Sequence, residues 1–419
     1  MKRFSKEENS WMFYDWANSA YSIIITTAVF PIFYKSAATN AGVSAADSTA
    51  YLGYTIAIFT FILAMIGPIL GTIADYQGYK KKFFTFFFIL GVSATALLAF
   101  IPSDNWLLLL VCYTFAALGS TGANVFYDAF LVDVATEDRM DQVSSRGYGL
   151  GYIGSTIPFL LSIAIILLAQ QEIIPLTATV ASKIAFLITA AWWGLFAIPL
   201  FKNVKQRYYI EREPNPIVNS FKRLGNTFKE IKKYRAVFLF LLAYFFYIDG
   251  VGTVISMSTA YGTDLGISAT SLLIVLFVTQ VVAAPFAVLY GRLAKKYTGK
   301  KMLYVGIFVY IIVCIYAYFL ETTIDFWILA MLVATSQGGI QALSRSYFAR
   351  LVPKQNANEF FGFYNIFGKF ASIMGPLLVG ATAQITGNSS TGVFSLVILF
   401  IIGFIILTRV PETTSVSSR

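Results

Sequence analysis

The sequence holds no histidine and two cysteines, and Asp, Glu, Lys and Arg together make up only 12% of its 419 residues. Each shortage excludes a kind of chemistry. Without histidine there is no imidazole to act as base or metal ligand, so any proton relay must use carboxylates. Cys112 and Cys314 both sit inside apolar runs, which indicates neither a disulfide framework nor a thiolate metal site. No paired nucleophile, base or metal set of the kind an enzyme needs is present, and no cofactor is expected. The scarcity of charge accompanies 57% hydrophobic residues, 17% aromatics and a mean hydropathy of +0.70. Such a chain belongs in a bilayer and not among ordinary soluble domains. Its formal charge of +10 does not argue for nucleic acid, because the basic residues gather in short segments between apolar runs and so report topology.

Apolar runs of spanning length fall near Trp11 to Phe33, Tyr51 to Ala74, Phe83 to Ile101, Trp106 to Tyr127, Gly147 to Ala169 and Ala181 to Phe201. After a basic linker, six more fall near Ala236 to Met257, Thr270 to Tyr290, Met302 to Leu320, Phe326 to Leu343, Phe361 to Ala383 and Val393 to Leu407. The expected fold is an all-α membrane protein of twelve transmembrane helices in two pseudo-symmetric six-helix bundles, 1–201 and 236–419, joined by the linker 202–235. On one side of these spans collect Lys2, Arg3 and Lys6, Lys80 to Lys82, Arg139 and Arg146, the bases of the linker, Arg292, Lys295, Lys296, Lys300 and Lys301, Arg345, Arg350, Lys354 and the tail's Arg409 and Arg419. The other side has Lys35 and Lys183. This asymmetry places both termini and the linker in the cytoplasm. The start, MKRFSKEENS, leads into a span too long and too polar for a cleavable signal peptide.

One stretch is written twice. Gly71 to Lys82 reads GTIADYQGYKKK, and Gly291 to Lys301 reads GRLAKKYTGKK, with Gly71 matching Gly291, Ala74 matching Ala294 and Lys80 matching Lys300. Glycine permits close helix approach and a sharp turn, and the lysines hold the loop in the cytoplasm. The repeat makes the chain two similar halves. This pattern resembles the loop between the second and third helices of major facilitator transporters. The resemblance implies that Asp75 faces the N-terminus of the eleventh helix, near Glu359 to Gly362, where its charge meets the helix dipole and holds the outward-facing state. Glu359 would be an acidic neighbour weakening that contact. The second copy has Lys295 where Asp75 stands, so the aspartate's role is expected in one half only.

A second pair of loops keeps its positions and reverses its charge. A constant shift carries Asp128 of FYDAFLVDVAT onto Arg345 and Asp133 onto Arg350 of LSRSYFARLVP. These groups, with Asp75 and Lys80, are expected to form a latch of breakable ion pairs across the cytoplasmic face. The plainer reading is that both sets face water at helix ends. Within the linker, Ile217, Phe221, Leu224, Phe228 and Ile231 recur at helical spacing opposite lysines, as in a helix lying on the membrane surface and tethered to anionic headgroups.

Ionisable residues inside spans are costly unless they face a partner or a watery cavity. Asp15, Asp249 and Lys369 lie in the first, seventh and eleventh spans. Asp15 and Asp249 hold corresponding places in the two halves, so both are expected to look into a central cavity, unless each merely meets a neighbouring arginine or backbone at a membrane boundary. Lys369 is placed to bind an anionic group or neutralise an aspartate. Asn18, Asn124, Gln337, Gln341 and Asn365 add neutral hydrogen-bonding groups, and Tyr127 and Tyr247 aromatic surface. Together these form the candidate substrate and proton site.

The stretches FYDWANSAY, FYDAFLVDVAT, IDGVGTVI and QALSRSYFARLVP leading to EFFGFYNIFGKFASIMGPLL together resemble the bacterial branch related to the fungal vacuolar amino-acid effluxers of autophagy. That resemblance implies a secondary transporter exporting amino acids or similar zwitterions, with proton coupling. The residues also admit a proton-coupled exporter of amphipathic or cationic compounds, or a substrate sensor of the same fold. The partners expected are a small molecule, protons and lipid, with no nucleic acid, for a monomer in the bacterial cytoplasmic membrane.

Overall fold

The computed structural model describes residues 3–411 apart from 212, 215, 230–232, 265–266 and 268. Six long helices precede the linker: α1 (Lys6–Asn40), α2 (Ala45–Ala74), α3 (Tyr79–Leu97), α4 (Trp106–Ala129, with a further turn at Leu131–Val134), α5 (Met140–Gln170) and α6 (Ala178–Asn203). The linker carries α7 (Pro216–Lys229). Beyond it come α8 (Arg235–Asp264), α9 (Ala269–Tyr297), α10 (Gly299–Tyr318), α11 (Thr323–Leu351), α12 (Ala357–Thr386) and α13 (Ser390–Thr408), the last interrupted at Leu396. Among the described residues, 11 helices are long and apolar enough to span a membrane. The helix that falls short is α3, whose first turn carries Lys80, Lys81 and Lys82 ahead of its apolar stretch. Each apolar run anticipated from the sequence lies on one of these twelve rods.

Local chemistry sets the ends. Ser5 and Glu8 form a capping box at the start of α1, and Thr322 and Asp325 form one at α11. The link between α2 and α3 turns through Gly78 at φ +79°, a conformation that a side chain disfavours. Over Tyr21–Ala28 the first helix loosens into π-helical hydrogen bonding, a local irregularity often found beside functional sites. Outward-facing Ile32, Phe100, Phe319 and Ile385 are exposed, as expected of a lipid-facing belt, since lipid and not protein would cover them.

Packing repeats from one set of six to the other. Helix α1 lies against α5 and α6, and α3 against α4; beyond the linker, α8 lies against α12 and α13, and α10 against α11. The two sets meet where α2 packs on α12, α5 on α9 and α11, and α4 on α12. At the α2–α12 crossing Gly71 lies so close to the main chain of Asn358 that a Cβ there would collide with the Asn358 carbonyl oxygen. Both described ends lie on the linker side, Arg3 beside Arg139 and Val410 beside Lys300.

The linker does more than tether. Ile210 pairs with the α2–α3 link through Ile210 N–H to Asp75 O (2.9 Å) and Gln77 N–H to Ile210 O (3.0 Å). Helix α7 then packs on α2, with Arg223 directed inward and Val218 and Phe221 outward. Of the apolar stripe expected here, Ile231 lies outside the described residues.

Candidate functional site

The face carrying the linker is closed by polar contacts between the halves. Asp75, fully buried at the end of α2, accepts hydrogen bonds from Asn358 N–H (2.9 Å) and Asn358 Nδ2 (2.8 Å) on one oxygen and from Glu359 N–H (3.3 Å) on the other. It thereby meets the open N–H groups in the first turn of α12, as anticipated, since a helix start offers unpaired donors and the positive end of its dipole. The neighbouring Glu359 does not leave two acids unopposed. Arg223 of α7 reaches both, 3.4 Å from Asp75 and 3.6 Å from Glu359, and stacks over Tyr76. The signal for this was faint: an arginine among many bases on an amphipathic helix.

Deeper in, Arg345 of α11 crosses to the first six helices. Its guanidinium contacts Asp15 at 2.9 Å and Asp128 at 3.2 Å, donates to Ser144 Oγ at 2.9 Å, and lies over the rings of Trp11 and Tyr148 at 4.6 and 4.5 Å. The expected pairing of Asp128 with Arg345 is therefore present. These two residues are also related by the internal repeat, and repeat mates touch only near the axis relating the halves.

The expected partner of Asp133 is not. Asp133 pairs with Lys80 at 2.6 Å, both side chains sealed from solvent, and accepts from the N–H groups of Arg207 and Tyr208. Lys80 and Asp133 thus lock α3, α4 and the start of the linker together within the first half, rather than latching the two halves. Arg350 instead pairs with Asp141 of α5 at 2.9 Å, where Ser346 also donates, and Lys354 reaches Glu137 at 2.9 Å. Asp141 and Glu137 follow Asp133 in the same acidic segment, so the charge reversal pointed to the right loops and the wrong residue.

Above this closure lies a cavity of about 350 Å³ between the halves, within the usual range of small-molecule sites, about 300–1,000 Å³. It brings together Asp15, Asn18, Asn124, Tyr127, Gln341, Asn365 and Lys369 of the anticipated site, with Asp128 and Arg345 at its closed end. Asn18 donates to Asn124 at 2.8 Å, and Tyr127 is held by Trp11, the rings stacked at 4.6 Å and the indole N–H donating to the Tyr127 carbonyl at 2.9 Å. Lys369, about 18 Å along α12 at 1.5 Å per residue, is surrounded by protein yet accessible, because it projects into the cavity. It makes no hydrogen bond or ion pair among the described residues, whereas the two carboxylates share one guanidinium.

Three anticipated residues stand elsewhere. Asp249 is buried against α12, Tyr247 is buried with its hydroxyl 2.7 Å from Ser344, and Gln337 borders a separate apolar cavity inside the second half. Correspondence with Asp15 misplaced Asp249, because equal places along pseudo-related helices do not ensure equal rotation toward the axis. Conversely, Tyr148, Tyr244 and Tyr364 line the main cavity. Among 25 tyrosines in the chain, nothing in the sequence separated Tyr148 and Tyr244 from packing residues.

Two sets of six long helices, 11 of them long and apolar enough to span a membrane among the described residues, around a central polar cavity closed on one face by charged helix ends, define a major facilitator transporter and not an enzyme. The chain belongs to the family described as Vacuole effluxer Atg22 like, whose pattern matches residues 4–417. It is 74% identical over 415 residues to the Uncharacterized MFS-type transporter YxiO of Bacillus subtilis (strain 168), covering 99% of this chain and 97% of that one. It is 23% identical over 449 residues to Autophagy-related protein 22 of Eremothecium gossypii, covering 90% and 85%. Among solved structures, the human organic anion transporter MFSD10 superposes with a TM-score of 0.74 at 12% identity, covering 96% of this chain and 99% of that one, which shows the shared fold.

Proposed function

We propose that the chain is a secondary active transporter that exports amino acids or similar small zwitterions by alternating access, coupled to protons, from the bacterial cytoplasm. In this reading it works as a monomer of two rocking halves, 1–201 and 236–419, with both termini and the linker 202–235 on the cytoplasmic side and α7 against anionic headgroups. The observation that carries the reading is the charge arrangement of the cavity. Lys369 stands there with no carboxylate of its own, while Asp15 and Asp128 divide a single guanidinium. A ligand that completes this set brings a carboxylate to Lys369 and an ammonium toward the acidic pair, each a charge-assisted contact. A purely cationic compound would meet Lys369 as a like charge, which places the export of cationic amphipaths second.

The closed linker face corresponds to the state open away from the cytoplasm. Substrate leaves in this state; breaking Arg345 from Asp15 and Asp128, and Asp75 from α12, reopens the cytoplasmic side. The test is uptake of labelled amino acids into inverted vesicles with an acid interior. Saturable accumulation in the wild type, with Lys369→Ala losing at least about tenfold in apparent affinity, as loss of a charge-assisted contact of about 1.5–3 kcal/mol requires, supports the reading. Accumulation of cationic amphipaths instead, unaffected by Lys369→Ala, overturns it.

A further inference from the structure

Asp249 sits about 21 Å along α8 at 1.5 Å per residue, 1% exposed, in the interior of the second half. Its Oδ2 has no hydrogen-bond partner, and the carboxyl is otherwise approached by Thr253 Oγ1, 3.5 Å from Oδ1, and by the Gly375 main chain. From α12 it is faced by the main chain at Gly375, so close that a Cβ on Gly375 would collide with Thr253 Oγ1 and press on Asp249 Oδ1. From α13, which contains no titratable residue, the neighbour is Phe400, packed at Gly250, with the Tyr310 phenol of α10 behind it. On α11 the polar groups near this level are Gln337, whose Nε2 also lacks a partner, and Ser344, bonded to Tyr247. On α9 the first charge is Arg292, toward the linker face, and Lys369 of α12 projects into the main cavity. No cation faces Asp249 among the described residues.

An ionised carboxylate with no cation beside it costs far more than a neutral one, since two neutral contacts replace little of its lost hydration. Asp15 differs in having a cation beside it, the Arg345 guanidinium at 2.9 Å. Thr253 and Gln337 lie at the edge of a mainly apolar cavity of about 70 Å³, and Pro376 interrupts the hydrogen bonding of α12 next to Gly375.

We propose that Asp249 is the transporter's proton carrier: a neutral carboxylic acid in the state closed at the linker face, placed outside the substrate cavity and discharged when α8 and α12 separate. On discharge the carboxyl O–H bond breaks, the proton passes to entering water and the carboxylate remains; reprotonation reverses the step. Coupling to substrate is then indirect, through α12, which carries Lys369 on the cavity side and Gly375 against Asp249. The proposal deepens the proton-coupled reading above and rests on it.

The test needs no substrate. Infrared spectra of the purified full chain in lipid are recorded in light and heavy water at neutral pH. A deuterium-sensitive carbonyl stretch of a protonated carboxylic acid, lost in Asp249→Asn and displaced but retained in Asp249→Glu, is the expected result. Asp75 is subtracted by its own Asp75→Asn spectrum, and a carboxylic-acid region of the wild-type spectrum that a folded Asp249→Asn protein leaves unchanged overturns the assignment. Failure of amino-acid uptake with the band assigned to Asp249 would remove the substrate reading alone; uptake without the band would remove the proton carrier alone.

Discussion

Lys80 and Asp133 meet at 2.6 Å with neither side chain reaching solvent. Lys80 also donates to the Ala129 carbonyl at 3.3 Å and lies over the Phe130 ring, while Asp133 receives two main-chain donors from the start of the linker. Removing one member strands the other as an unpaired buried charge, at a cost of about 3–5 kcal/mol, whereas replacing both with apolar residues of similar volume comes near to neutral. Lys80→Met and Asp133→Leu are each expected to lower the thermal midpoint of the purified protein, and the double variant to recover most of the loss. Equal loss in all three would show that the pair carries no such mutual dependence. The sequence made these residues conspicuous as charges at helix ends, but a charge has no direction along a chain. Which of several nearby opposite charges it meets depends on helix rotation, and that is decided by packing; Asp249, turned from the axis that Asp15 faces, illustrates the same gap.

At the scale of elements, α7 joins the closure through one side chain. Burial pushes the Asp75 carboxyl up to about 7, against the pull of Arg223 and the Asn358 donors, with Glu359 adding to the rise. In an open linker face Asp75 would meet water and return toward the ordinary carboxylate value of about 3.9. Between those values the closed state binds more protons than the open one. Closure is therefore favoured at low pH, and this advantage declines as pH rises from about 4 through about 7, by up to about tenfold per pH unit. Labelling of a cysteine at Ser145, buried against Gly291 in the closed state, is expected to quicken across that window, the native Cys112 and Cys314 being buried. Arg223→Ala removes the nearest cation, raises the Asp75 carboxyl further and moves the window upward. A pH profile unchanged by this substitution would detach α7 from the closure. The contact of Asp75 with the start of α12 was legible from its loop pattern. The part played by α7 was not, because amphipathic spacing orients a helix toward some apolar surface without saying whether that surface is lipid or protein.

For the whole molecule, the division into two similar sets of helices was legible because hydrocarbon imposes long apolar runs and the duplicated loop shows where the pattern restarts. The state was not legible, because both states use the same helices and differ only in which end of the inter-half surface is in contact. Gly71 is where that difference can be forced. It allows α2 to touch the Asn358 main chain, a contact made only when the linker face is closed, while its own half does not need the space. Gly71→Val should therefore leave each set of six helices folded and oppose their closure on this face. Overpacking of this kind costs about 1–3 kcal/mol, enough to shift the ratio of closed to open molecules by roughly 5- to 150-fold. The check is a pair of spin labels on the linker-face ends of α3 and α10, one in each half, whose distance distribution reports the gap between them. A longer distance in Gly71→Val, with the thermal midpoint little changed, is the expected outcome. An unchanged distribution would mean that the α2–α12 crossing follows closure of the halves and does not control it.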